Sequence, residues 1–337
     1  MRFLKVFIVS SVLFFIAFYL GANYYIMENT DLLEENSPFG FSNNIDNFSD
    51  SFLNRLEVEA KEPREFNSLE EAFLKSDRIN FLILGMEDAR TDTIILASLC
   101  PDSKKIHLIS IPRDTYVHRK GYDDGEKRKI NAVYFDHGIE GIKKTVSHVL
   151  AGIPIHHHVI LDYEGVREIV DLIGGVEMDV PFHMKYKDPT SNPPLDIDIR
   201  PGRQILDGEK ALDFIRYRKG NNKMGYVDGD LGRIRAQQEF LKAFLSKVKD
   251  NIITLITKGL RYVETDVGLL DALSYGRKVI GISTEDLEFH LLPGNSDFKK
   301  VNRRFYSYYV YREDEIKGLL EEIYNVKSNI IHEDNSN

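Results

Sequence analysis

Ile79-Asn-Phe-Leu-Ile-Leu-Gly-Met-Glu-Asp-Ala-Arg-Thr-Asp-Thr-Ile-Ile-Leu-Ala-Ser-Leu99 reads as two apolar strands folded back on one another. Ile79 to Leu84 is an apolar run that Gly85 ends, and Thr93 to Leu99 is a second. The short stretch from Gly85 to Asp92 makes them neighbours in one sheet. A third strand, Lys105 to Ile111, alternates through His107, Leu108, Ile109 and Ser110 and stops at Pro112.

Outward from this nucleus, helices and strands intermix. Ile142, Val146 and Val149 predict a helix over Ile139 to Leu150. A strand follows from His158 to Asp162, then a helix from Tyr163 to Ile173 closed by Gly174-Gly175. Val176 to Val180 is a strand closed by Pro181, and Asp207-Gly208 opens a helix through Phe214. Asp230 to Lys249 is a long amphipathic helix with Leu231, Ile234, Leu241, Phe244, Leu245 and Val248 on its apolar face. One more helix is expected near Val267 to Ile280, then the loop Leu292-Pro293-Gly294, then a last helix from about Asp314 to Tyr324. The expected class is α/β with α+β character: a mixed central sheet flanked by helices.

The ends set the organisation. Arg2 and Lys5 precede an apolar run from Val6 to Ala22 that carries no charge, and Tyr19, Tyr24 and Tyr25 sit where an aromatic belt would lie. Residues 1–27 are read as an uncleaved single-pass anchor with the N-terminus in the cytoplasm and the rest outside. Gly21-Ala22-Asn23 is a poor cleavage site for the rival signal peptide. Residues 28–66 are polar and acidic, a stem. Ser68 and Glu71 have the spacing of a capping box, so a short helix opens a single domain at 67–327, with a flexible tail at 328–337.

Composition narrows the function. Of 337 residues, 42% are hydrophobic, ample for a sizeable core, and the formal net charge of −9 disfavours a nucleic-acid partner. One cysteine, Cys100, excludes an intramolecular disulfide and reads as a small core residue.

Five segments carry candidate chemistry. Glu87, Asp88 and Asp92 with Arg90 crowd the first strand connection. Carboxylates at a strand-end crevice suit a hard divalent cation, with Arg90 on the same phosphates; the plain alternative is a solvated acidic turn. Arg113 and Asp114 stand on the loop after Pro112, as a site or as a loop ion pair. Arg216 and Arg218 share one face only if the backbone is extended, and two parallel guanidinium groups then call for a phosphate or pyrophosphate; a local pair with Asp213 is the alternative. Asp230, Arg233 and Gln237 lie on one helix face, a site wall or a solvent face. Lys129 and Asn131 enter the next helix, where they meet phosphate or sugar or form a polar helix start. Lys219 to Gly229, rich in Gly and Asn, is a lid or a disordered loop. His156-His157-His158 is not a metal site, because consecutive strand residues alternate faces.

In this order the segments resemble the LytR-CpsA-Psr family of cell-wall polymer transferases. The resemblance runs through Ile83-Leu-Gly, Arg90-Thr-Asp-Thr93, Ser110-Ile-Pro-Arg-Asp-Thr-Tyr-Val117 and Lys129-Ile-Asn-Ala132. It continues through Leu172-Ile-Gly-Gly-Val-Glu-Met-Asp-Val180, Leu206-Asp-Gly-Glu-Lys-Ala-Leu-Asp-Phe-Ile-Arg-Tyr-Arg218 and Asp230-Leu-Gly-Arg-Ile-Arg-Ala-Gln-Gln238. It covers roughly residues 78 to 325.

The resemblance implies an undecaprenyl-pyrophosphate-linked glycopolymer, of teichoic acid or capsule type, moved to a peptidoglycan hydroxyl. The lipid tail is expected in an apolar pocket. By motif position Asp92 is a carboxylate for Mg²⁺ or Mn²⁺, and Arg113, Arg216, Arg218, Arg233 and Gln237 form the phosphate clamp. Asp114 and Lys129 are secondary candidates. The family usually places an earlier site aspartate well before the Arg-Ser/Thr-Asp-Thr motif; here Glu87 stands in its place, and either Glu87 or Asp88 is expected to take the role. A lipid pyrophosphate hydrolase would use the same residues with water as acceptor, and a non-catalytic envelope regulator is the other rival.

Overall fold

The computed structural model describes residues 64–327 except 88–89, 191–193, 222–224, 229 and 280–281. The anchor, most of the stem and the tail read from the sequence lie outside the described residues. Among the described residues no helix is long and apolar enough to cross a membrane.

The domain opens with helix α1 (Leu69–Lys75), where the Ser68 side chain accepts from the Glu71 backbone N–H as expected, but the returning half of the capping box is shifted by one residue, because the Glu71 carboxylate accepts from the Asn67 N–H. Strands β1 (Ile79–Glu87), β2 (Arg90–Cys100) and β3 (Lys105–Ser110) form consecutive antiparallel pairs. Helix α2 (Val133–Val149) leads to strand β4 (His157–Leu161), which lies parallel to β1. Helix α3 (Tyr163–Leu172) follows, capped by Asp162.

Next comes a region off the central sheet: β5 (Val176–Val180), β6 (Met184–Asp188), β7 (Leu195–Ile199) and β8 (Gly202–Leu206), paired as β5 with β8 and β6 with β7. Helices α4 (Gly208–Arg216) and α5 (Asp230–Lys258) return to the sheet. The short strand β9 (Glu264–Thr265), helix α6 (Leu269–Val279) and strand β10 (Leu287–Leu291) precede a hairpin of β11 (Gly294–Val301) and β12 (Arg304–Tyr311). Helix α7 (Glu313–Tyr324) ends the domain.

The central sheet has six strands in the order β10-β3-β2-β1-β4-β9, with parallel β10–β3 and β1–β4 pairs beside antiparallel ones. This is the mixed sheet expected. Its two faces are covered differently. One carries Leu82, Leu84, Ile94, Leu96 and Ile109 into a core with Ile142 and Val146 of α2 and Ile316 and Leu320 of α7. The other carries Phe81, Ile83, Ile95, Ala97 and Leu108 against Leu241 and Leu245 of α5. A separate core joins α3, α4 and α5 to the off-sheet strands through Val170, Val176, Leu206, Phe214 and Phe240.

The departures from expectation have physical causes. Helix α2 starts six residues early and is broken by Gly138 at φ +60 and ψ −160. Its first turn leaves Phe135 68% exposed, so the apolar period is invisible there. β1 and β2 run past their expected ends, pairing Glu87 with Arg90, so Asp92 belongs to a strand and not to the connection. Strands β6 to β12 were not expected; most are short, and the β11–β12 hairpin leaves large aromatic side chains in solvent.

Candidate active site

The site begins with a β-bulge. Gly85 faces Thr93 and Met86 faces Thr91, so Asp92 is the extra residue on β2. A bulge of this kind re-aims a side chain out of the ladder. Gly85 is needed opposite it: a Cβ there would come within 3.0 Å of the Thr93 Cβ.

Asp92 meets Arg113. Arg113 Nη1 donates to both Asp92 oxygens, at 2.8 and 2.9 Å. Each side chain keeps about a fifth of its surface exposed (23% and 20%), so the pair sits at an opening. Arg113 stands on the loop after Pro112, and this loop is held from both sides. The Asn131 N–H donates to the Arg113 carbonyl and the Ile130 N–H to the Thr115 carbonyl. On the other side the Tyr309 N–H donates to the Asp114 carbonyl and the Tyr116 N–H to the Tyr309 carbonyl. Lys129 lies 3.2 Å from Asp114 and 2.9 Å from Glu126. Lys129 and Asn131 therefore brace the Arg113 loop.

Between the α5-covered face of the sheet and helices α3, α4 and α5 lies a cavity of about 190 Å³. Its walls are apolar: Ile83 and Ile95 from the sheet, Val166 and Val170 from α3, Leu212 from α4, and Phe240, Leu241 and Phe244 from α5. Asp92, Arg216, Arg233 and Gln237 also line it. A smaller cavity shares Asp92, Arg233 and Gln237 and adds Arg113, Ser110 and Gln238, so these polar groups mark where the two meet. Arg233 is 7% exposed, a cation kept in a mostly apolar chamber. The Gln237 side chain donates to the Ile215 carbonyl at 3.1 Å and ties α5 to α4.

The structure thus brings together Asp92, Arg113, Arg216, Arg233 and Gln237. It places the remaining candidates otherwise. Arg90 is exposed at the start of β2, and Arg218 is exposed beyond α4; neither lines either of these two cavities. The extended backbone expected across Arg216 to Arg218 is only half present, because Arg216 is the last helical residue and Tyr217, at φ −63 and ψ 129, is extended and buried. Asp88 and the Glu87 side chain fall outside what is described. The loop after Lys219 is anchored in its described part: Lys219 bridges to Gly225, and the Tyr226 ring packs 5.3 Å from Phe182.

Spacing alone missed several residues. Tyr163 lines the cavity with its ring 4.1 Å from the Arg216 guanidinium carbon, a cation–π contact between two helices. Gln238 reaches Ser110 at 3.1 Å and fixes α5 to the end of β3. Asp213, which the sequence offered only as a local partner for the arginines, stands one turn before Arg216 with its carboxyl pushed up to about 6 by burial and by Glu209, with Arg216 opposing.

Two histidine clusters lie away from the cavity. His156 accepts from the Asn80 N–H, His157 meets the Tyr275 hydroxyl and His158 faces Asp266. His107 and His290 face each other at 3.2 Å in nearly parallel rings beside Glu288, the geometry of one hydrogen bond between imidazoles. Burial drives the His107 pKa down to about 3 and lowers that of His290.

The model of the LytR_cpsA_psr family matches residues 43–325. The chain belongs to this family. It is 29% identical over 245 residues to "Polyisoprenyl-teichoic acid--peptidoglycan teichoic acid transferase TagV" of Bacillus subtilis, covering 69% of this chain and 61% of that one. It is 31% identical over 220 residues to "Polyisoprenyl-teichoic acid--peptidoglycan teichoic acid transferase TagU" of Enterococcus faecalis, covering 65% of this chain and 63% of that one. The chain thus spans about three fifths of these relatives' length. The crystal structure of B. subtilis TagV superposes with a TM-score of 0.61 at 26% identity, covering 75% of this chain and 99% of that one. A structure described as TagT bound to LI-WTA superposes with a TM-score of 0.59 at 24% identity, covering 78% and 93%, a likeness of fold.

Proposed function

We propose that this family member transfers an anionic glycopolymer, of teichoic acid or capsule type, from an undecaprenyl-pyrophosphate carrier to a peptidoglycan hydroxyl. The observation that carries the reading is an apolar chamber whose polar residues converge on one place. The walls from α3, α4, α5 and the sheet suit a polyprenyl tail, while Arg216, Arg233 and Gln237 suit the pyrophosphate. In support, the relatives are named for a polyisoprenyl-linked teichoic acid as donor and peptidoglycan as acceptor.

In this reading the acceptor hydroxyl attacks the phosphorus that bears the polymer. The new phosphoester forms as the P–O–P bond breaks, and polyprenyl phosphate leaves with the bonding electron pair. Little covalent chemistry falls to the protein; positioning and charge neutralisation do the work. Arg233 and Arg216 hold phosphate oxygens in a chamber that excludes water, where each contact is stronger than in solvent. Arg113, pre-set by Asp92, faces the developing charge. Asp114, braced by Lys129, is the carboxylate on the same loop for the hydroxyl proton.

Asp92 also fits a hard cation: its two oxygens already converge on one positive group, and Mg²⁺ takes one or two carboxylates with phosphate oxygens. Mg²⁺ or Mn²⁺ held there with Glu87 or Asp88 would neutralise pyrophosphate charge. The same proposal tethers the domain outside the cell membrane through residues 1–27.

The test is an assay of the full chain in membranes with lipid-pyrophosphate-linked glycan, Mg²⁺ and peptidoglycan oligomers. Polyprenyl phosphate released with a covalent glycan–peptidoglycan product is the expected result. Release without that product would make the chain a hydrolase, and tight lipid binding without release would make it a carrier.

A further inference from the structure

The stretch Phe298-Lys-Lys-Val-Asn-Arg-Arg-Phe305 holds four cations and no acid in eight residues, in a chain of formal net charge −9. It forms the tip of the β11–β12 hairpin. Val301 pairs with Arg304, and Asn302 and Arg303 between them sit at φ +46 and +69, the left-handed turn that a two-residue hairpin prefers. The register sets Phe298 opposite Ser307 and Lys300 opposite Phe305, so Phe298, Lys300 and Phe305 share one face. Phe298 is 68% exposed and Phe305 70%. Lys300, Arg303 and Arg304 are exposed as well.

The hairpin does not need this face for its own stability. Its opposite face is braced: Tyr308 is 1% exposed and donates to the Gly125 carbonyl at 2.9 Å, and Asn302 donates to the Asp123 carbonyl at 2.8 Å. Lys299 is spent on the Tyr116 ring at 4.3 Å. Each Phe left in water forgoes the gain that burying its ring would bring. A tip that offers two phenyl rings between cations matches a bilayer interface, where aromatics enter the headgroup boundary and each Lys or Arg is drawn to an anionic surface. A soluble polyanion would satisfy the cations but leave the rings in water.

We propose that the hairpin tip at 298–305 is a docking element for an anionic phospholipid surface. β12 is bonded directly to the Arg113 loop, through the Asp114 carbonyl and the Tyr116 N–H, so docking would seat that loop close to the bilayer. The proposal stands apart from the transfer reading, since it rests on charge and exposure alone.

The chain has no tryptophan, so Phe305→Trp supplies a single reporter. The full chain carrying it is placed in nanodiscs of phosphatidylglycerol or of phosphatidylcholine. Blue-shifted emission and several-fold protection from acrylamide are expected in phosphatidylglycerol alone. Both should vanish when Lys300, Arg303 and Arg304 are changed to Glu in a chain whose far-ultraviolet dichroism is unaltered. Equal emission in the two lipids overturns the proposal. So does a shift that appears only when a soluble anionic glycopolymer is added, which would make the tip a glycan site.

Discussion

The two faces of the central sheet use the same strands for opposite ends. On β1, Leu82 and Leu84 point into the core beneath α2 and α7 and are fully buried, while Ile83 between them and Gly85 after them line the cavity beneath α5. On β2, Ile94 faces the closed core while Thr93 and Ile95 face the cavity. A period of two along a strand is enough to divide structural from functional positions. The closed face is covered by two helices. The open face is covered by α5 with a chamber beneath it, which α3 and α4, packed into a second core, wall but do not fill.

The largest test of this division is Asp92→Asn. The change keeps volume and removes charge from the bulge at the mouth of the open face. Transfer should fall about 10²–10³-fold, the scale for losing one preorganised electrostatic group. Thermal stability should fall by only about 1–3 kcal/mol, because Asn keeps an acceptor for Arg113 but takes the negative charge away from a mostly buried guanidinium. Transfer at the parent rate would remove Asp92 from the site; a collapsed melting temperature would make the bulge structural.

The closed face should respond the other way. Leu84→Ala, in the core with α2 and α7, should cost about 2–5 kcal/mol of stability. Ile83→Ala, one residue away on the cavity wall, should cost under about 2 kcal/mol, because the space it vacates joins an existing opening. It should instead weaken binding of the lipid-linked substrate. Denaturant melts and substrate titration of both variants check this, and equal stability losses would show that the chamber is packed like the core.

Much of this was legible beforehand, for reasons that can be named. Ile83-Leu84-Gly85 and Thr93 to Leu99 announced paired strands because long apolar runs bounded by turn residues leave few alternatives. Arg233 and Gln237 were found because residues four apart share a helix face. Asp92 was found by motif, but its bulge was hidden: an extra residue in a ladder is a property of two strands. Tyr163 escaped because its partner Arg216 lies on another helix, 53 positions on in sequence. Arg216 and Arg218 were expected to point together; helix α4 runs two residues beyond its expected end and sends them to different environments. β11 and β12 were obscured by Phe298 and Phe305, apolar side chains that face solvent.

The smallest effect belongs to Asp213, on the helix that roofs the chamber. Burial, and then Glu209, hold its carboxyl up near 6, against an ordinary value of 3.8, although Arg216 pulls it down. The folded chain therefore grips this proton more tightly than the unfolded one. That contribution is fully present below pH 3.8 and is lost as pH rises through about 6. At pH 7 the ionised group is a liability, one retained next to the arginine that lines the cavity. Asp213→Asn should raise stability at pH 7 by about 1 kcal/mol, a figure reduced from the full shift because solvent screens a half-buried group. The gain should shrink as pH falls from 6 and vanish below about pH 4, as melting temperatures of the two chains across that range would record. A gain that persisted at pH 4 would assign the effect to packing, and a loss at pH 7 would mean that the carboxylate holds Arg216 in place.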